Sequence, residues 1–519
     1  MVDIAAQGVS WSGTPRAASP QYVQSVINAN GTGTTYVLGS GYHRGQEITL
    51  KSGDRLLLAA GAILTGTEDI GTSGWTNNGD GTWSKAAVTG QRTLSNLTGG
   101  IGGADHTRGE KVILDGDMMA YRTSTADVDA WHAYANGSSI MIGRNPGSLS
   151  LIEVIRTDYI GGAGVELGGQ TTDERNPIYG YVGAELANGG DERGAIRLTG
   201  TNPYIHDANI YAMAGTGIAC EDGTLLRNVT LHQCGQCGIG GGGALIYRLD
   251  GITVGEGCHI YRNGIGGYHN DWEGGNSKWA WCDNLTVRGS LWDCPYDSRY
   301  TDYGNNPTSA MWFDVASDGN VVHSSVFKGE PGVDWRGGIF YEITYSGKIH
   351  DNIFYDSGDG AESGFWQGGC VSDASGAFPG STIFDDVEVY NNLFYKTAGG
   401  WNIISSGAHD GDSGPLGVYR AQYTNNHDNT LYLVDGSSYL EFVGTHDGTT
   451  SYPPRFNEWD DNIYIVASAL NRYSDEDDGG AGGNLSFAGW QSASRDTGPR
   501  AQQLVGSGYD PDPFNGGAM

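Results

Sequence analysis

Three short segments of the 519-residue chain share a pattern of residue types that could do chemistry. Segments 267–273, 310–315 and 338–343 each begin with a small residue, continue as alternating apolar positions, and place a carboxylate four residues on. These carboxylates are Asp271, Asp314 and Glu342. Successive residues of a strand point to opposite faces, so each acid is expected on the side away from the apolar core.

If the three segments stack as parallel strands, the acids form a column with neighbours ~4.8 Å apart. Carboxylates this close do not all stay ionised unaided. Either a pKa rises, which suits a general acid, or a cation binds between them. The simpler alternative is a row of acids screened by water, although like charges opposite each other destabilise a sheet. The pattern therefore predicts an acidic groove along one sheet face.

Aromatic and polar side chains next to this column are suited to a sugar ligand. In the predicted register three outward positions carry rings, which would stack on a sugar chain or line a trimer interface. A histidine faces the same groove, as a hydrogen-bonding residue or a catalyst, and two arginines in the following loops are candidates for a second positive group. The predicted substrate-binding residues are His269, Trp312, Phe340, Trp366, Arg299 and Arg336.

Lys278 supplies an amine close to two of the acids. Asp271 and Glu273 share one face of their predicted strand, and Lys278 follows just past the strand end. A structural ion pair is the simpler explanation. The catalytic alternative is a base that removes the proton α to a uronate carboxylate, while a metal on Asp271 and Glu273 stabilises the enolate. The predicted catalytic residues are Lys278, Asp314, Glu342, Asp271 and Glu273.

From about residue 196 the chain alternates two strand patterns, separated by polar turns that contain glycine. The period varies between roughly 19 and 40 residues, which is typical of stacked solenoids. Glycine accounts for 86 residues and proline for 15, which fits an all-β fold with many tight turns. The predicted fold is a right-handed parallel β-helix, because a β-propeller would need four strands in each repeat.

The chain is predicted to divide into three regions. Residues 1–30 form an N-terminal segment whose helix, with Ser19 as N-cap and Pro20 as first helical residue, caps the open end of the coil. Residues 31–470 form the β-helix, and 471–519 form an acidic, glycine-rich linker and a C-terminal tail or cap. Within the coil region, further strands are predicted at 112–114, 139–142 and 151–155, and a hairpin at 75–83.

Composition excludes several functions. The net charge of −31, from 60 acidic and 29 basic residues, argues against nucleic-acid binding, which depends on Lys and Arg displacing counterions. No apolar run is long enough to span a membrane, and no signal peptide is visible at the start.

The seven cysteines cannot all pair within one chain. Cys234 and Cys237 have redox or zinc spacing without a second pair, and Cys220 is expected to fill core.

Three of these segments resemble recurring segments of right-handed parallel β-helix repeat proteins of the pectate-lyase-like superfold. They read Asp-Trp-Glu-Gly-Gly-Asn-Ser-Lys at 271–278, Met-Trp-Phe-Asp at 311–314 and Gly-Ile-Phe-Tyr-Glu-Ile at 338–343. The spacing of Asp271, Glu273 and Lys278 is also similar to that of polysaccharide lyase family six. This resemblance implies that the two acids bind Ca²⁺ and that the lysine is the base. Phage tailspikes share the fold.

Together these features predict a β-helix, extracellular or carried on a virion, that binds a polysaccharide or cell-surface glycan and cleaves it by lyase or hydrolase chemistry. Homotrimers or virion tail proteins are its expected partners. The alternative is a non-catalytic adhesin or receptor-binding spike whose groove only holds a host glycan. Likeness of fold does not separate the two.

Overall fold

Short strands separated by tight corners make up most of the chain. The computed structural model describes residues 1–7, 21–86, 111–121, 124–135, 139–172, 174–182, 194–242, 248–265, 275–294, 310–314, 317–329, 338–341, 344, 346–356, 365–367, 370–371, 387–397, 402–406, 413–414, 417–420, 424–433, 439–443, 458–466, 473–475, 483–492 and 502–505. None of the helices in these ranges is long and apolar enough to cross a membrane.

The chain divides into two compact units. Unit 1 comprises Met1–Lys278 and Asp297–Asn306, and unit 2 comprises Trp279–Tyr296 and Pro307–Met519. The predicted boundaries at residues 30 and 470 stay predictions.

In the part of unit 1 that the structure describes there are one α-helix, two short 3₁₀ helices, the first 26 strands and most of the 27th. These elements are β1 (Val2–Ile4), α1 (Tyr22–Ala29), β2 (Thr35–Leu38), β3 (Gly41–Arg44), β4 (Ile48–Leu50), β5 (Arg55–Leu58), β6 (Ala62–Thr65), β7 (Thr67–Asp69), β8 (Thr76–Asn77), β9 (Trp83–Ala86), β10 (Val112–Leu114), β11 (Asp117–Met118), β12 (Ala120–Tyr121), the 3₁₀ helix Thr125–Asp127, β13 (His132–Ala135), β14 (Ser139–Ile142), the 3₁₀ helix Pro146–Ser148, β15 (Ile152–Ile155), β16 (Ile160–Gly162), β17 (Glu166–Gly169), β18 (Asn176–Tyr179), β19 (Ile196–Leu198), β20 (Tyr204–Tyr211), β21 (Ile218–Ala219), β22 (Leu225–His232), β23 (Cys237–Gly242), β24 (Leu249–Asp250), β25 (Thr253–Val254), β26 (His259–Tyr261) and β27 (Gly275–Ala280), whose last two residues belong to unit 2.

Unit 2 continues with the remaining strands and a short C-terminal helix. These elements are β28 (Cys282–Asp283), β29 (Thr286–Arg288), β30 (Leu291–Asp293), β31 (Met311–Asp314), β32 (Asn320–His323), β33 (Val326–Lys328), β34 (Ile339–Tyr341), β35 (Gly347–His350), β36 (Ile353–Tyr355), β37 (Phe365–Gln367), β38 (Cys370–Val371), β39 (Val387–Tyr390), β40 (Leu393–Lys396), β41 (Asn402–Ser406), β42 (Ser413–Gly414), β43 (Gly417–Arg420), β44 (Thr424–His427), β45 (Thr430–Leu433), β46 (Tyr439–Val443), β47 (Glu458–Asp460), β48 (Ile463–Val466), β49 (Tyr473–Asp475), β50 (Gly483–Leu485), α2 (Phe487–Ser492) and β51 (Gln502–Val505).

Each turn of the coil contributes strands to three faces. In unit 1 the first face runs β1–β2–β5–β17–β20–β22–β25, the second β3–β6–β18–β20–β22–β26, and the third β4–β16–β19–β21–β23–β27. In unit 2 the first face runs β29–β32–β35–β39–β44–β47, the second β30–β33–β36–β40–β45–β48–β51, and the third β31–β34–β37–β41–β46–β49. The registered pairs within these faces are parallel. Crossovers between parallel strands are right-handed, so the predicted right-handed parallel β-helix is confirmed.

Two sheets with mostly antiparallel pairs interrupt the coil of unit 1. One runs β11–β10–β15–β7 and the other β12–β13–β14–β9–β8. Val112, Ile142 and Val154 belong to the apolar core that they share. The predicted strands at 112–114, 139–142 and 151–155, and the antiparallel hairpin at 75–83, are found here, but the antiparallel pairing of the three strands was not predicted. This part of unit 1 is called the insertion below.

Helix α1 lies against β4, the first strand of the third face. Its Gln24 side chain donates to Thr49 O and accepts from Thr49 N, so the helix occupies hydrogen-bonding groups that an edge strand leaves open. Val23 and Ile27 are buried beneath it. The helix begins at Tyr22 with no side-chain cap, two residues after the predicted start. The predicted N-cap Ser19 and first helical residue Pro20 lie outside the described residues.

The corners between the first and second faces of unit 2 carry a ladder of buried amides. Asn392 accepts a hydrogen bond from Asn352 N and donates to Ile349 O. Its own backbone N–H donates to the side chain of Asn429. Each ladder residue follows one with a left-handed backbone, such as Asn391 at φ +54°. The amide satisfies the backbone groups that the corner exposes, which locks one turn to the next.

We expect Asn392→Ala to lower the free energy of unfolding by about 2–4 kcal/mol, because it leaves at least two buried backbone groups without a partner. Urea denaturation measures the loss. The matched control is Asn391→Gly, which replaces the neighbouring exposed residue where a positive φ favours glycine and should change stability by less than ~0.5 kcal/mol. Equal effects of the two substitutions would contradict the ladder's role.

A stack of rings runs across the second face of unit 1. His232 lies between Tyr211 and Tyr261, with ring centroids 5.1 and 4.7 Å away. Burial, aided by His259 and Arg262, lowers the pKa of His232 to about 4. In the unfolded chain the same imidazole titrates near ~6.5. Between these two values the unfolded state binds more protons than the folded one, so stability falls as the pH drops.

The loss of stability of unit 1 at low pH should therefore be smaller in His232→Phe. This substitution keeps a stacked ring and removes the titrating imidazole. From pH 7 to pH 4 we expect the wild type to lose about 3 kcal/mol more than the variant, as the shift of the pKa implies. Urea midpoints measured across this range provide the comparison. Superimposable pH profiles of the two proteins would exclude the effect.

Candidate functional site

Lys278 lies inside a strand of the third face rather than beyond a strand end. The strand next to β23 is β27, which starts at Gly275, so the predicted alignment of segment 267–273 with β23 is wrong. Gly275 N donates to Gln236 O. The same bonding between Gly217 and Cys237 O accompanies the pairing of Ile218 with Ile239. By this register Lys278 is opposite Gly240.

The outward positions of the third face of unit 1 carry mostly small side chains, together with one arginine and one lysine. The inward positions are isoleucines with no exposed surface, at 48, 160, 196, 218 and 239. The residues one further along point outward, because strand residues alternate. In strand order these outward residues are Thr49, Gly161, Arg197, Ala219, Gly240 and Lys278. They are called the outer strip below.

Arg197 and Glu221 form an ion pair on the outer strip. Arg197 Nε donates to a Glu221 carboxylate oxygen, with the arginine side chain 33% and the glutamate 12% exposed. Tyr159 lies against the strip where a Cβ on Gly161 would come 3.0 Å from its ring. Glycine at this position permits the close approach of the Tyr159 ring. The strip therefore offers an oriented guanidinium above small side chains.

The site residues predicted from the sequence do not include Arg197. Segment 217–221 has the same form as the three acid-bearing segments, with Glu221 as its carboxylate. The signal was present, because Ala195–Leu198 has the same small–apolar pattern, and aligning Ile196 with Ile218 brings Arg197 close to Glu221.

In unit 2 the predicted register of the third face is confirmed. Trp312 is opposite Phe340, and Phe340 is opposite Trp366 on β37. Asp314 is partly exposed at the end of β31, where its carbonyl oxygen accepts a hydrogen bond from Ser317 Oγ at 3.0 Å.

The two rings nearest Asp314 are buried, not exposed as predicted. Trp312 and Phe340 have only 3% and 2% of their surface exposed. Their centroids are 5.4 Å apart, and they form an apolar cluster of their own. Phe313 and Tyr341 pack into the core on the opposite side of the same strands. Alternation correctly predicted the direction of Trp312 and Phe340, but an outward direction did not mean exposure.

The other predicted site residues lie outside the part of the chain that the structure describes. Their roles stay predictions, as does the Ca²⁺ site at the two metal-binding acids. They are His269, Asp271, Glu273, Arg299, Arg336 and Glu342. Among the described residues, no group of three or more His, Cys, Asp or Glu could hold a metal ion.

Cysteine chemistry does not contribute at this site. Cys220, Cys234 and Cys237 are free thiols in the core, so Cys220 fills core as expected. Burial raises the pKa of Cys234 to about 12, which keeps this thiol protonated and unreactive near neutral pH.

No protein-family model matches the chain, and no curated protein matches it. Among solved structures it is similar to XylC in complex with xylose, at 12% identity and a TM-score of 0.50, over 94% of this chain and 83% of that one. It is also similar to the family 28 exopolygalacturonase of Yersinia enterocolitica, at 12% identity and a TM-score of 0.30, over 90% and 71%. The tailspike gp61 of Pseudomonas phage phi297 matches at 10% identity and a TM-score of 0.33, over 88% and 75%. The predicted resemblance to parallel β-helix proteins is confirmed, and at these identities the likeness concerns the fold.

Because Trp312 is buried, Trp312→Ala should lower the free energy of unfolding by about 3–5 kcal/mol, as truncating a buried large ring does. Chemical denaturation of the purified variant measures this. Trp312→Phe retains much of the buried area and should lose less. A loss below ~1 kcal/mol for Trp312→Ala would indicate that the ring is solvent-exposed after all.

Proposed function

We propose that the chain binds an acidic polysaccharide along the outer strip and cleaves it by β-elimination. The observation that carries the proposal is the placement of two cationic side chains, Arg197 and Lys278, on one outward line of a chain whose net charge is −31. Glycine and alanine lie between them. A polymer with a carboxylate on each sugar matches a line of cations on a floor of small residues.

The two cations act on different sugars of one polymer. Three strand spacings of ~4.8 Å separate Arg197 from Lys278 along the strip, or about 14 Å. Arg197, oriented by Glu221, is suited to a charge-assisted hydrogen bond with the carboxylate of a sugar a few residues away from the reacting one. This bond would hold the polymer in register with Lys278.

Lys278 is the base of the proposed reaction. Its Nζ takes the proton α to the carboxylate of the bound uronate. The electron pair forms a carbon–carbon double bond as the bond to the leaving glycosidic oxygen breaks, and that oxygen takes a proton from water. Asp271 and Glu273 are the proposed Ca²⁺ ligands, and a cation there would stabilise the enolate charge. Lys278 is 8% exposed.

A hydrolase is the second candidate, because of the register of β31 and β34. The shared pattern of segments 310–315 and 338–343 predicts that Glu342, which lies outside the described residues, is opposite Asp314. Carboxyl groups on neighbouring strands are about 5 Å apart, which suits a retaining glycosidase. His269, Arg299, Arg336 and the rings at 312, 340 and 366 remain proposed substrate contacts in either case.

Since its substrate lies outside cells, the protein is proposed to act extracellularly or on a virion. A homotrimer or contacts with virion tail proteins belong to the same proposal, and sedimentation equilibrium of the purified chain tests the trimer directly.

Incubation with polygalacturonate or alginate, with and without a chelator, tests the reaction. We expect absorbance near 235 nm to rise as unsaturated ends form, and Lys278→Ala to reduce the rate at least a hundredfold. Lys348→Ala is the matched control, because Lys348 is an exposed lysine on the first face of unit 2 that pairs with Glu388. New reducing ends without this absorbance would indicate the hydrolase, and binding without cleavage the adhesin.

Arg197→Ala should weaken binding of the same polymer roughly tenfold, the value of a charge-assisted hydrogen bond. Arg227→Ala removes an exposed arginine from the first face of the same unit and should leave affinity unchanged. Affinity electrophoresis compares the variants. If the two arginine variants bind alike, the polymer does not follow the outer strip.

A further inference from the structure

The insertion of unit 1 presents an exposed tryptophan that is held rigidly. Trp131 immediately precedes β13 and keeps 40% of its surface exposed. Exposed indoles are uncommon because burying one is strongly favourable, and most of the large apolar side chains in the described part of the chain are buried. Among the described residues, Met1, Tyr42 and Leu504 are the other exposed large apolar side chains.

Two interactions hold Trp131 in place, and two more tie its neighbours together. The Asp129 carboxylate accepts a hydrogen bond from Trp131 N at 2.8 Å and contacts His132 Nδ1 at 2.5 Å. The Arg144 guanidinium covers one face of the indole, with Cζ 4.0 Å from the ring centroid. Arg144 Nε in turn donates to Ala130 O at 2.8 Å. The backbone turn and the covering cation are thus tied to each other as well as to the ring.

Gly143 makes this arrangement possible. A Cβ at this position would lie 1.8 Å from Asp129 O, so only glycine allows the turn at 129–131 to rest on the strand end that carries Arg144. The close approach brings the guanidinium over the indole. Residues 129–131 and 143–144 therefore together determine which face of the Trp131 indole is covered.

We propose that Trp131, with Arg144 and Asp129, is a second polysaccharide-binding site that takes a pyranose ring. The carbon–hydrogen face of a sugar would stack on the indole face opposite the guanidinium. Its hydroxyl groups would reach the Asp129 carboxylate, whose side chain is 62% exposed, and the guanidinium edge. An apolar protein partner would find a charged acid and a cation at the rim of a single ring, which suits a polar, hydroxyl-bearing ligand better.

The Tyr42–Arg44 pair shows what distinguishes this site. Tyr42 is 42% exposed and Arg44 covers its ring at 4.3 Å, so the two pairs look alike. Arg44, however, is committed to the wholly buried Glu153 and to Thr67. This cation is a structural part of the core beneath the ring, and Tyr42 provides a matched control for Trp131.

The second site rests on the proposed function for the class of its ligand, a polysaccharide. It does not depend on how that polysaccharide is cleaved. Affinity electrophoresis of the full chain in gels containing polygalacturonate, alginate or xylan measures binding by the whole protein. We expect Trp131→Ala to lower affinity for the retained polymer about tenfold, Trp131→Tyr to lower it less, and Tyr42→Ala to leave it unchanged. Cleavage of short oligosaccharides should keep its kcat in Trp131→Ala.

Failure of the second site and failure of the outer strip give different experimental results. Equal affinities of Trp131→Ala and the wild type for every polymer, or no retention of the wild type by any of them, would overturn the second site. If Trp131→Ala lowers binding while Lys278→Ala and Arg197→Ala change neither binding nor cleavage, the second site stands and the outer strip does not. A loss of thermal stability in Trp131→Ala is checked with Arg144→Ala, which removes the cation without removing the ring and should also weaken binding.

Discussion

Register in this protein is set at the corners. In unit 2 the corners at 351–352, 391–392, 428–429 and 461–462 use one residue in the left-handed region followed by a buried amide, and the amides bond to the backbone of the preceding turn. Ser290 and Ser325 take the place of the amide at the two earlier corners. A shift by one residue would turn every inward side chain outward and leave these amides without partners. Because the corner fixes where each turn begins, the third face inherits its alignment, including the pairing of Trp312 with Phe340.

The outer strip depends on the same alternation in unit 1. Isoleucines fill the inward positions of the third face and leave the outward line free to carry other residue types. Small residues occupy most of it, and Arg197 is held in place by Glu221. The arrangement separates stability, which comes from the inward column, from binding, which is left to the outward one. Both proposed polysaccharide sites in unit 1 use this separation, because Trp131 also lies outside the apolar core of its sheet pair.

Much of the fold could be predicted from the sequence because its signals are local. Alternating apolar residues and turn glycines identify the strands and their parallel stacking. The error at β27 arose where that signal fails: its inward position is Ser277, which is almost wholly buried, whereas the segment before it has the more regular apolar pattern. The burial of Trp312 and Phe340 could not be predicted from the sequence either, since alternation gives the direction of a side chain and not what lies over it. Arg197 was missed because one arginine in a strand carries no pattern until its neighbour across the sheet is known.

The amide ladder has a consequence for how such a protein can change over generations. Asn352, Asn392, Asn429 and Asn462 make the same bonds at successive corners, so each turn meets its neighbours through identical contacts. Duplicating or deleting one whole turn would reproduce those contacts rather than break them. The molecule can therefore lengthen or shorten in steps of one strand spacing, ~4.8 Å, and the extent of polymer it spans becomes a quantity that selection can adjust without redesigning the core.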